Sequence, residues 1–171
     1  SVVPNTVIDY EAGGDIGAGS TSDRCILQSE FDFIQTLLPL KSSFDAACND
    51  DGGNAMCPEF ASPSRSFLHT DVSGKNVYMN PPYCRIQQWI KHYLRCKARS
   101  PCNTSACIVI PAWTGKHRKL LAGMQMLHRY PTGHVLFTAP STDGTRHVMP
   151  GIPWPVEVWY DAPRREMASL R

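Results

Sequence analysis

The stretch Asn76–Lys97, NVYMNPPYCRIQQWIKHYLRCK, carries three local signals in immediate succession. Asn76–Met79 (NVYM) is short and largely apolar, with a β-branched and an aromatic residue, which is the composition of a buried strand. Asn80-Pro81-Pro82-Tyr83 stops it, because consecutive prolines donate no backbone hydrogen bond and keep the preceding residue extended. From Arg85 to Lys97, Ile86, Trp89, Ile90, Tyr93 and Leu94 fall at i, i+3, i+4, i+7 and i+8, a single apolar stripe along a helix. Ala106–Ile110 (ACIVI), ended by Pro111, supplies the next strand. Strand, helix and strand in this order form the unit of a parallel sheet.

The flanking sequence extends the pattern. Ser43–Cys48 (SFDAAC) predicts another buried strand, followed by a tight loop, NDDGGN. Upstream, a helix is expected in which Ser29 acts as the cap and Asp32 favours the first turn. Phe31, Ile34 and Leu38 share one face of it, and Pro39 ends it. Residues 54–70 read as irregular. Downstream, Lys116–Arg129 reads as a second amphipathic helix with Leu120, Met124 and Leu127 inward. His134–Thr138 (HVLFT) and Val156–Tyr160 (VEVWY) complete the strands. The expected fold is α/β: an open, mostly parallel twisted sheet flanked by helices. Residues 1–23 are expected to be a flexible leader, 24–163 one domain and 164–171 a tail.

A chain of 171 residues has room for one hydrophobic core. With 42% hydrophobic and 19% charged residues it is not a disordered sequence. No apolar run approaches the ~18 residues of a membrane span, and no basic start leads into an apolar stretch. Neither a membrane segment nor a signal peptide is therefore expected. The seven cysteines are irregularly spaced, without a C-x-x-C pair, which points to a reducing compartment, nucleus or cytoplasm. The six histidines show no H-x-x-x-H spacing, so no metal site is expected. The net charge of +2 conceals an asymmetry. Residues 1–60 carry ten acids and two bases, and residues 61–171 carry five acids and fifteen bases. That imbalance suits a polyanionic partner.

Ligands of open α/β sheets bind beyond the carboxyl ends of the strands, so Asp45 and Asn80 should border one crevice. Asn80 supplies an amide oxygen, Pro81 a carbonyl without a competing donor, and Tyr83 an aromatic face. These features suit a planar group with an exocyclic amine: two acceptors take its hydrogens and the ring stacks on Tyr83. The nitrogen lone pair, turned out of conjugation, can then attack an electrophilic methyl group, with catalysis by position and by stabilising the developing charge. Lys116, Arg118 and Lys119, just after Trp113, suit either phosphate contacts beside such a site or a solvated helix start. Lys91, Arg95, Lys97 and Arg99 form a second candidate basic strip.

The stretch Phe44–Tyr83 resembles the phage-type DNA adenine-N6 methyltransferases. The matching residues are Asp45, Asn54, Cys57-Pro58, Phe60 and Asp71, ahead of Asn80-Pro81-Pro82-Tyr83. The resemblance continues through the helix around Trp89, through Ile110-Pro111 and Trp113, and into Leu136–Pro140 (LFTAP), covering residues 24–161. The stretch is similar in particular to methyltransferase-like domains carried in tyrosine-recombinase (DIRS-like) retrotransposon polyproteins. The resemblance implies a Rossmann-like methyltransferase fold, S-adenosyl-L-methionine as methyl donor, and the N6 amine of DNA adenine as acceptor, with RNA as the alternative. It implies other segments of a larger polyprotein as neighbours. Asn80 and the Pro81 carbonyl would receive the amine, Pro82 would brace them, and Tyr83 would stack on a flipped base. Asp45, Ala46, Asn54 and Asp71 would line the cofactor site, while Trp113, Lys116, Arg118 and Lys119 would face nucleic acid. A rival for the cofactor loop is the glycine-rich Thr6–Gly19 with Asp9. A different reading keeps the fold as a catalytically silent nucleic-acid-binding or structural module.

Overall fold

Backbone pairing organises the chain around Asn76–Pro111. The computed structural model describes residues 24–166. The expected leader, with Asp9 and Thr6–Gly19, and the end of the expected tail lie outside the described residues. In chain order the elements are β1 (Cys25–Ile26), α1 (Gln28–Leu37), β2 (Phe44–Asp45), β3 (Glu59–Phe60), β4 (Asn76–Met79), α2 (Ile86–Arg99), β5 (Ser105–Pro111), β6 (Gln125–Tyr130), β7 (Phe137–Pro140), β8 (Arg146–Val148) and β9 (Val156–Asp161). Short 3-10 helices occupy Phe67–His69, Tyr83–Arg85 and Lys116–Leu121.

One sheet has six strands in the order β3-β2-β4-β5-β9-β6, and a second has three in the order β1-β7-β8. Pairing is parallel from β3 through β5, and antiparallel at β5–β9, β9–β6, β1–β7 and β7–β8. The expectation of a mostly parallel sheet is therefore corrected to a mixed α/β architecture. The cause is the connections. Parallel neighbours need a long crossover, which α2 supplies between β4 and β5. After β5 the described residues contain no α-helix, and the strands there pair antiparallel.

The central strands β4 and β5 divide their side chains between two cores. Val77 and Met79 of β4, with Ala106, Ile108 and Ile110 of β5, join Ile86, Trp89, Ile90 and Tyr93 of α2 on one face of the large sheet. Tyr78, Cys107, Val109, Val156 and Val158 join Phe31 and Ile34 of α1 and Phe137 of the small sheet on the other. The expected α2 stripe is thus the buried stripe, and fully burying a side chain such as Ile90 contributes about 1.5–3 kcal/mol. All seven residues of β5 are buried, as befits a central strand covered on both faces.

Three local expectations are corrected. Ser29 does not cap α1. The cap position is Leu27, with no side-chain hydrogen bond, and Ser29 lies inside the first turn. Lys116–Arg129 is not one helix. A 3-10 helix ends at Leu121, Gly123 takes a φ of +83°, and Gln125–Tyr130 becomes edge strand β6 against β9. Leu120 and Met124 still pack against the α2-side core, so the helical spacing was fulfilled by a turn followed by a strand. Tertiary pairing overrides local propensity in this way. The basic strip on α2 also breaks up. Lys97 is only 7% exposed, and its ammonium donates to Asp161 at 2.7 Å and to the Ala162 carbonyl. Arg99 pairs with Asp71 at 3.2 Å.

Gly151 packs directly on Gly133. A Cβ at position 151 would sit 2.2 Å from the Gly133 carbonyl oxygen, a backbone atom with no room to yield. Gly133 also donates its N–H to Ile152, and Ile152 donates to His134, so the contact closes the loop before β7. Gly151→Ala is expected to destabilise the domain by about 1–3 kcal/mol or more, the cost of forcing extra atoms into a packed site. Urea unfolding of the two proteins checks it.

Candidate functional site at the carboxyl edge of the parallel strands

The chain leaves β2 toward β3 on one side and later returns as β4 on the other. The carboxyl ends of β2 and β4 therefore flank the point where the order of connections reverses, the usual binding crevice of such sheets. Asp45 pairs with Tyr78, and Ala46 donates its N–H to the Tyr78 carbonyl at 2.9 Å. That register brings Asp45 and Ala46 beside Asn80, as the sequence predicts.

Asn80 is half-buried, and Pro81 is buried. Among the described residues neither the Asn80 amide nor the Pro81 carbonyl has a hydrogen-bond partner, whereas the Pro82 carbonyl accepts from Arg85 at 2.9 Å. The turn thus leaves two acceptors unused and fixes the one beyond them. The Tyr83 ring lies edge-on to Trp113, with centroids 5.0 Å apart, and to Trp154 at 6.1 Å. Trp113 and Trp154 pack edge-on at 4.9 Å. The Arg24 guanidinium lies 4.6 Å from the centre of the Tyr83 ring, close enough for a cation–π interaction. The indole N–H groups of Trp113 and Trp154 are buried without a partner among the described residues. Acceptors, an aromatic wall and unused donors therefore gather at one edge.

The predicted acids have different tasks. Asp45 is 2% exposed, and both its oxygens accept from its own loop: Oδ1 from the Ala47 N–H at 3.0 Å, Oδ2 from the Met56 N–H at 2.9 Å. Burial pushes its carboxyl up to about 6, and the bonds from Met56 and Ala47 pull it back. Burial, with Asp45 nearby, also pushes the Cys48 thiol up to about 11 and Cys57 to about 12, so neither is a thiolate near neutral pH. Asn54 lies in the same loop, where its Oδ1 accepts from the Asn49 N–H at 2.7 Å and the Cys48 thiol at 3.2 Å. Gly52, with φ of +72°, lets this loop fold onto Phe60, whose Cζ lies 2.9 Å from where a Cβ would be. Asp45 and Asn54 thus shape the loop rather than face a ligand. Asp71 is not at the crevice. It precedes the amino end of β4, bonds the Ser73 N–H at 2.9 Å and pairs with the last residue of α2, at the opposite sheet edge.

Lys116 and Lys119 are exposed on the 3-10 helix after Trp113, but the Arg118 guanidinium binds Glu157, which is 2% exposed. His117 is buried, and burial, with Arg118 beside it, holds its imidazole below the ordinary value against the pull of Glu157. Trp154, Arg24 and Glu157 are not among the residues expected at the site. Trp154, set between prolines just before a strand, carried a usable signal, because such a residue lands at a sheet edge. Arg24 and Glu157 carried none. No protein-family model matches the chain, and no curated protein matches it.

Asp45 should make stability depend on pH. The folded chain keeps its proton up to about 6, the unfolded chain only to 3.8. The resulting stabilisation is fully present below the lower value and is lost as pH rises through the upper one. Asp45→Asn turns one acceptor into a donor facing a backbone N–H and is expected to cost about 1–3 kcal/mol. In urea unfolding at a series of pH values, the wild-type advantage over Asp45→Asn should narrow from acid to neutral pH. A constant gap contradicts this.

Proposed function

We propose that this chain is an S-adenosyl-L-methionine-dependent DNA methyltransferase domain, acting on the exocyclic N6 amine of adenine, from a retroelement polyprotein. One observation carries the reading: two unpartnered acceptors, Asn80 and the Pro81 carbonyl, lie beside Tyr83 at the switch point of the sheet. Support for a Rossmann-like methyltransferase fold comes from the parallel β3-β2-β4-β5 order, the β4–α2–β5 crossover and the inserted antiparallel β9.

The chain's own residues act by acceptance and position. Asn80 Oδ1 and the Pro81 carbonyl each take one hydrogen of the adenine amine, which draws the nitrogen lone pair out of the ring's conjugation. As positive charge develops on that nitrogen, the same two oxygens stabilise it; the surplus proton leaves to water after the attack, so no base with a shifted pKa is required. Pro82 and the Arg85 bond to its carbonyl keep the turn from relaxing, and Tyr83 offers its ring to the base.

The loop after Asp45 suits the cofactor in charge. The cofactor's sulfonium and ammonium are cationic, and the loop exposes two carboxylates, Asp50 and Asp51. The Ser64 hydroxyl holds Asp50 down at about 2, so it stays ionised. Residues 46–53 and Phe60 would hold S-adenosyl-L-methionine, which supplies an electrophilic methyl group when bound. Asp45 and Asn54 would contribute by holding the loop.

The commitment of the Asp45 carboxylate to its own loop favours a second reading, a silent domain that binds nucleic acid without turnover. Titration calorimetry separates the two. The enzyme binds S-adenosyl-L-methionine, and the silent module binds DNA alone. In a labelled-methyl transfer assay on DNA, Asn80→Ala is expected to lower the rate about 10²–10³-fold, the usual loss on removing one preorganised charge-stabilising group. Unchanged transfer by Asn80→Ala would remove the catalytic role of the turn.

A further inference from the structure

Glu157 on β9 is nearly inaccessible, yet two guanidiniums close on it. Arg118 Nη1 donates to Oε1 and Arg129 Nη1 to Oε2, the latter at 3.1 Å, while the Trp159 indole N–H also reaches Oε1 at 3.1 Å. The Arg118 guanidinium lies over the Trp159 ring, 5.5 Å from its centre. One carboxylate balances only one of the two cations. Each guanidinium has five N–H donors, of which Glu157 engages one. The two side chains are 35% and 52% exposed, so their outer edges face solvent. Lys116 and Lys119 stand exposed on the same 3-10 helix as Arg118, and residues 112–142 contain no Asp or Glu. The charge left over therefore has no acid in that stretch to meet.

The cluster also lies at the correct edge. Glu157 pairs with Ile110 near the carboxyl end of β5 and with Arg129 across β6. β9 is two strands from β4, which at ordinary strand spacing is about 10 Å. We propose that Arg118 and Arg129, held side by side by Glu157, clamp a phosphodiester of the DNA strand whose adenine enters the crevice at Asn80. This rests on the DNA reading above and adds to it where the backbone runs. A fixed planar guanidinium grips phosphate through two parallel hydrogen bonds, and anchoring it beforehand reduces the freedom lost on binding. Phosphate outside and carboxylate inside then alternate with the two cations.

The test is fluorescence anisotropy of a labelled DNA duplex with the wild-type chain, Arg129→Ala, Arg129→Gln and Lys41→Ala across a salt series. Lys41 is exposed ahead of β2, at the opposite edge, and removes the same charge as a control. Arg129→Ala and Arg129→Gln are expected to flatten the slope of log affinity against log salt by about 0.9, one phosphate contact on duplex DNA. Lys41→Ala keeps the wild-type slope. Wild-type slopes in both Arg129 variants, or an equal loss in Lys41→Ala, overturn the clamp while leaving the DNA reading intact. A wild-type chain that binds no DNA at any salt overturns both.

Discussion

The carboxylate of Asp45 is the constraint on which the rest of the site depends. It ends a strand of two residues, too short to hold its own following loop, and takes the Ala47 and Met56 amides into a buried pocket. Those two bonds bring the loop's ends together, and Asn54 and the Gly52–Phe60 contact then set its middle. The cost is a buried charge whose proton affinity rises. The return is a fixed wall beside β4. Phe44 and Ala46 pack β2 into the core on the α2 side, and the Asp45 bonds add the hold on the loop that follows.

The site has a division of labour between groups that are bonded and groups that are not. Asp45, the Asn54 side-chain oxygen and Glu157 accept hydrogen bonds from their neighbours and act as scaffolding. Asn80, the Pro81 carbonyl and the Trp113 and Trp154 indoles are unsatisfied among the described residues, and they cluster beside Tyr83. Buried polar groups without partners are costly to keep; the described residues hold four, the Tyr78 hydroxyl, His117 Nε2 and the two indoles, and the indoles beside the open acceptors of Asn80 and Pro81 are a reason to look for a ligand at that edge. The chemistry they suit is a flat, amine-bearing group with ring acceptors of its own.

Much of this was legible in the residues. NVYM and the Ile86–Leu94 stripe specified their elements because period and composition agreed, and the prolines marked both ends of the turn. Asp45 and Asn80 fall at one edge because β2 and β4 run parallel, as the expected sheet has them. The failures share a cause. Lys116–Arg129 has helical spacing, but Gly123 and the demand of β9 for a partner decide its structure. Asp71 looked like a ligand residue, and its position before a strand's amino end removes it from the crevice. The residues around Arg118 suit a phosphate contact, but they carry no sign of Glu157, the carboxylate far along the chain that holds its guanidinium. Long-range pairing of this kind leaves no local trace.

The proposed chemistry requires that the Asn80 amide receive an exocyclic amine. The most direct measurement is the NMR shift of the Asn80 side-chain amide on adding a DNA oligonucleotide, compared with the same oligonucleotide carrying purine in place of adenine. A large shift is expected with adenine and little with the base that lacks the amine. Equal responses to both, or none to either, would contradict it.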